Sequence, residues 1–157
     1  MDENNAATGQ PSAPQFAIQR TFIKDLSFET PMGVKVFTQA FQPKVKMDVN
    51  TRGNSIAEGV HEIVLTLTIT AKVEEDTAYI VELQQAGIFA INGFPEEQMA
   101  HVLGAVCPNF LFPYAREAVD SIVVKGGFPP LSIAPIDFDA IFRQSQASAD
   151  QSGQSLN

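Results

Sequence analysis

The chain has 157 residues, a mass of 17.0 kDa and 45% hydrophobic content, enough for one domain with a real core and too much for wholesale disorder. Its net charge of −8 and pI near 4.6 repel phosphate backbones, so nucleic acid is not an expected partner; the acidity suits a basic or metal-bearing partner, or simply solubility. One cysteine, Cys107, an acidic polar start at Met1 to Asn5, and no apolar run near the roughly 20 residues that cross a bilayer make the cytoplasm the expected location, with no membrane insertion.

Residues 1–14 and 144–157 are rich in Asn, Gln, Ser and Ala and read as mobile tails, leaving one domain over 15–143. From Phe16 to Glu29 the parity of Phe16, Ile18, Phe22, Leu26 and Phe28 marks a strand, imperfect or bent because Arg20 and Lys24 share that parity. Residues 30–43, with Pro31, Gly33 and Pro43, form a long connection. A second strand holds Val45, Met47 and Val49, with a turn expected at Thr51 to Asn54. The clearest strand runs from Val60 to Val73, and a fourth follows a charged turn at Glu74 to Asp76. Together they predict an antiparallel meander. Pro95-Glu96-Glu97 opens a helix with apolar spacing through Phe110. Pro108 should kink it and Pro113 interrupt it, and Gly126-Gly127 stops it. A proline-rich loop leads to a short final helix capped by Asp137 and carrying Phe138, Ile141 and Phe142.

The residues offer little chemistry. No phosphate-binding glycine loop or dinucleotide fingerprint is present. His61, His101 and Cys107 are too few and too scattered for a structural zinc site, and nothing marks a base for the thiol. Asp25 and Glu29 would lie about 13 Å apart on a strand, too far for an acid–base pair but suited to two ends of a docking patch. Twelve phenylalanines without a tryptophan stand out, several in connections: Phe37, Phe41, Phe94 and Phe128. They pack loops onto the core or wall a groove for apolar segments of another chain.

Several segments resemble the SecB family: Lys24-Asp25-Leu26-Ser27-Phe28-Glu29, Val81 to Phe89, Gln98 to His101, and above all Cys107-Pro108-Asn109-Phe110-Leu111-Phe112-Pro113-Tyr114-Ala115-Arg116-Glu117, followed by Phe128 to Leu131 and Ala134 to Phe142. The resemblance spans residues 16–143. It implies an α+β fold, a four-stranded antiparallel sheet with a long kinked helix and a short C-terminal helix on one face, and a homotetramer built as a dimer of dimers. It also implies an ATP-independent holdase, without enzymatic activity, cofactor or metal. Such a chaperone binds unfolded precursor proteins and delivers them to SecA, whose zinc-bearing C-terminal tail docks on the sheet. Carried over residue by residue, the SecA contacts are Asp25, Glu29, Ile80 and Glu82; the substrate groove takes Phe22, Phe41, Tyr79 and Phe142; Val81, Leu83 and Gln85 face the helices and the subunit interface. A SecB-like chaperone for a toxin–antitoxin pair and a small enzyme are the alternatives. The docking quartet argues against the first, and the missing nucleophile–base and metal constellations against the second.

Overall fold

The computed structural model describes residues 13–154. The period-two pattern of β3 (Val60–Val73) buries Ile63, Leu65, Leu67, Ile69, Ala71 and Val73, while Thr66, Thr68 and Thr70 point to the other face. Its partner β4 (Asp76–Asn92) buries Tyr79, Val81, Leu83, Phe89 and Ile91 on the same side. β2 (Lys44–Ala57) pairs with β3 and β1 (Gln15–Glu29) with β4, all antiparallel, giving the order β1-β4-β3-β2.

That order corrects the simple meander. β1 lies beside β4, so residues 30–43 must cross from one edge of the sheet to the other. The crossing is anchored by Val36, buried in the core, and by a 3-10 turn at Gly33–Thr38. The turn expected at Thr51 to Asn54 is also absent: β2 continues through it, pairing Thr51 with Leu65 and Asn54 with Glu62. Gly53 is there for space, since a Cβ would stand 2.9 Å from Ile63 Cδ1. The reversal comes at Gly59, whose φ of 67° suits glycine.

The first helix, α1 (Glu96–His101), runs through a π-helical turn (Val102–Val106) into α2 (Cys107–Lys125). Pro108 has no N–H to donate, and the Cys107 N–H beside it reaches back five residues to Val102 O. The π turn thus absorbs the mismatch, and Pro113 does not interrupt α2. The expected stop at Gly126-Gly127 is a pair of hydrogen bonds: Phe128 N–H donates to Val123 O (3.1 Å) and Gly127 N–H to Val124 O (3.0 Å), with Gly127 at φ 90°. Residues 128–137 carry no helix or strand. The final helix, α3 (Phe138–Gln154), starts where the Asp137 carboxylate accepts the Ala140 N–H at 2.9 Å. It is longer than expected and takes in most of the segment from 144 onward; the rest of that segment and residues 1–12 of the N-terminal one lie outside the described residues.

α2 presses Leu111, Phe112, Ala115, Val119 and Val123 onto the inner faces of β3 and β4. Each of the larger ones, Leu111, Phe112, Val119 and Val123, contributes about 1.5–3 kcal/mol of apolar burial. Cys107 is fully buried there, and burial pushes its thiol up to about 12. Burial also pushes Tyr79 up to about 12, helped by the Asp120 carboxylate. Both groups hold their protons more tightly folded than unfolded. Their contribution is therefore complete below about pH 8.5, the unfolded thiol value, and is lost as pH rises toward 12. Urea midpoints should fall steadily from pH 9 to pH 12. At pH 8 the native chain should leave Cys107 unreactive to a disulfide reagent that labels it in urea. Prompt labelling of the native thiol would refute this burial.

Candidate functional site

The sheet presents its outer face without a covering element, and strand register decides which side chains share it. Glu29 stands opposite Ile80, Ser27 opposite Glu82, and Asp25 opposite Gln84. Asp25, Glu29, Ile80 and Glu82 therefore fall on one face of two neighbouring strands, with Glu82 diagonal to both other carboxylates. The three carboxylates are exposed and none has an ion-pair partner among the described residues; Ile80 is half-buried between them. Across β3 the surface continues as Thr66, Thr68 and Thr70.

Phe22 belongs to this outer face, not to the inner parity assigned to it with Phe16 and Ile18. Register shifts after Ile18 and Ile23 change the phase of β1 twice, so Phe22 pairs with Ala86 and Ile23 takes the inner side opposite Gln85. The strand is bent for the reason its sequence hinted at. Arg20 stays out opposite Ile88, and Lys24 binds Glu62 at 2.9 Å. Val64 and Ala86, in the same rung as Phe22, are fully buried yet lie outside the main core cluster.

The second surface runs along the inner side of β2. Val45, Met47 and Ile69 line a 230 Å³ cavity whose other wall is the loop Leu131 to Ala134. Val49 to Gly53 line the next one, 350 Å³, closed by Leu103 and Gly104 of the π turn and by Ile141 and Phe142 of α3. Phe142 fits over Gly104, where a Cβ would meet its ring at 2.6 Å, and its ring also meets His101 edge-on. His101 in turn binds Asp139 at 2.5 Å, which fixes the start of α3 to the helix below. At the other end Phe41 and Phe128 pack at 5.2 Å, with Phe37 against Phe128.

Of the four groove residues expected, Phe41 and Phe142 mark the two ends of this trough. Tyr79 lines neither cavity; it is buried, 1% exposed, against Phe28, Phe41 and Phe128. Phe22 is on the opposite face of the sheet. Val81, Leu83 and Gln85 face the helices; Val81 and Leu83 are fully buried within the single chain, and Gln85, 3% exposed, lines a 420 Å³ hollow between β1 and α2. Gln85 is held by donating to Phe22 O at 3.0 Å. Sequence reasoning missed Met47, Leu103, Leu131 and Ile133 as trough residues; the apolar residues among the prolines of 129–135 were the available signal.

Among the described residues no cluster of His, Cys, Asp and Glu could hold a metal, and no helix is long and apolar enough to cross a membrane. A family model described as "Preprotein translocase subunit SecB" matches residues 9–149. Proteins called "Protein-export protein SecB" are similar over nearly the whole chain. That of Cellvibrio japonicus is 51% identical over 96% of this chain and 91% of its own length, and that of Methylococcus capsulatus 51% identical over 98% and 97%. The Pseudomonas fluorescens protein is 47% identical over 98% and 97%. Among solved structures, the Mycobacterium tuberculosis SecB-like chaperone Rv1957, in complex with a peptide from the HigA1 antitoxin, has a similar fold, with a TM-score of 0.62 at 12% identity over 77% of this chain and 87% of that one. This chain therefore belongs to the SecB family, the chaperones of protein export.

Proposed function

We propose that the protein is a cytoplasmic holdase that binds non-native precursors along the β2 trough without nucleotide and passes them to SecA, which docks on the outer sheet face. The observation that supports this most is the separation of an apolar trough from an acidic patch by the thickness of one sheet. An extended segment could bury apolar side chains in the two cavities, with about 25 cal/mol per Å² of gain before ordering costs. The patch of Asp25, Glu29 and Glu82 around Ile80 offers such a segment little, but it complements a basic, zinc-bearing tail.

The protein also acts, in this proposal, as a homotetramer assembled as a dimer of dimers. Ile23 on β1 and Tyr114 on α2 are 50% and 51% exposed around a 420 Å³ hollow, and Ile18 and Phe110 extend that apolar surface along the same side. Such a patch suits a partner copy. Sedimentation equilibrium in the micromolar range should give four chains per particle; a monomer throughout would remove this part.

Glu82→Lys should abolish measurable binding of a SecA tail peptide and leave affinity for an unfolded client unchanged, because the side chain is exposed and away from the trough. Salt should weaken the wild-type tail complex, since exposed charges are screened within about 8 Å at physiological ionic strength. Equal loss of both ligands would leave the two-surface reading without support.

The complementary change, Phe41→Asp, should weaken client binding about tenfold or more while tail binding and the oligomer persist, because it puts an unpaired charge at the trough's mouth. Unchanged client affinity would take Phe41 out of the trough.

A further inference from the structure

The wall of the 230 Å³ cavity is a segment that ought not to hold its own shape. Residues 129–136 form neither helix nor strand. Pro129, Pro130 and Pro135 have no N–H with which to tie the loop down. Ser132 adopts φ 50°, a left-handed conformation that a serine takes only when its surroundings impose it. The constraint comes from α2. Asp120, half-buried on that helix, accepts the Leu131 N–H at 2.9 Å and the Ser132 N–H at 3.2 Å, both at Oδ1. Among the described residues these two bonds are the hydrogen bonds that tie 129–136 to another element. A carboxylate accepting two backbone N–H groups is a strong clamp, because the acceptor is charged.

We propose that Asp120 is a positioning residue for client binding: its carboxylate holds the Leu131–Ala134 wall in place and so keeps the first apolar cavity of the trough formed before a client arrives. The inference rests on the reading of the trough as the client site and deepens it. The clamp is continuous with the aromatic end of the trough, since the Asp120 charge also helps push Tyr79 up to about 12, and Tyr79 packs against Phe128 at 4.8 Å, where the loop begins. A wall already in place spares the client the cost of ordering it, which is how preorganisation raises affinity. Loss of the clamp frees the loop without removing any apolar atom from the cavity.

The test uses the full chain as wild type, Asp120→Ala and Asp120→Asn, with reduced, carboxamidomethylated lysozyme as a permanently unfolded probe. Three quantities are read: probe affinity, hydrogen exchange at the Leu131 and Ser132 amides and across β3 and α2, and the urea midpoint. Asp120→Ala should speed exchange at those two amides and weaken probe binding about tenfold, while exchange across β3 and α2 and the urea midpoint stay near wild type. Asp120→Asn keeps a neutral carbonyl acceptor at the same place and should recover most of the affinity, a rescue that a purely charge-based attraction for the client would not give. Faster exchange with unchanged affinity would overturn the proposal by reducing Asp120 to a loop clamp without a role in binding. Unchanged exchange in Asp120→Ala would overturn it by removing the clamp. Failure of the wild type itself to bind the probe would be a different result, sinking the trough as the client site and the inference with it.

Discussion

A helix is about 10 Å across and strands lie about 4.8 Å apart, so one helix can cover two strands and no more. This chain lays one long helix on a four-stranded sheet, and α2 sits over β3 and β4. Those two central strands are consequently sealed, with Ile63, Leu65, Leu67, Val81 and Leu83 showing no exposure at all. The flanking strands keep apolar inner side chains with nothing broad enough to cover them. On the β2 flank the loop after α2 and the start of α3 close the gap partly and leave the trough. On the β1 flank Ile18 and Ile23 remain open beside Phe110 and Tyr114. The outer face receives no helix at all and is free to be polar.

This geometry assigns the burdens of the molecule to different places. Stability comes from the sealed centre, including Cys107, whose value is as a small buried group and not as a nucleophile. The uncovered flanks and the outer face keep side chains that are held by strands yet remain accessible. Two polar pins fix borders of the trough: His101 to Asp139 at one end, Asp120 to the loop backbone in the middle. Lys24 to Glu62, on the outer face, neutralises two charges near Phe22 and leaves the acidic patch further along β1 undiluted.

The way the helix is built follows the same need for length. A straight α-helix through Pro108 would lose its hydrogen bond and clash with the preceding turn. The π turn at Val102–Val106 takes up that defect at the point where Gly104 leaves room for the Phe142 ring. The irregularity and the docking of α3 thus occupy one turn of the helix.

Much of this is legible in the sequence alone. Strict alternation from Val60 to Val73 determined β3 and its buried face, because a strand with one apolar side has one register that buries it. The dipeptide Gly126-Gly127 determined the end of α2 and Asp137 the start of α3, because both are local hydrogen-bonding signals. The parity of Ile80 and Glu82 on β4 was readable for the same local reason. What the sequence did not determine were facts about partners distant along the chain. That β1 pairs with β4 and not β2 depends on which edge closes the core, and only packing selects it. The face of Phe22 depends on two bulges set by pairing with β4. Gly53 reads as a turn until Ile63, ten residues away, is seen to need its space. The trough joins β2, the π turn, the 128–137 loop and α3, four segments with no shared pattern, and Asp120 meets its backbone partners only when Leu131 and Ser132 fold back on it. Local spacing determines what an element is and which of its sides is apolar; which apolar side is left uncovered is settled by the width of the helix that lands on the sheet.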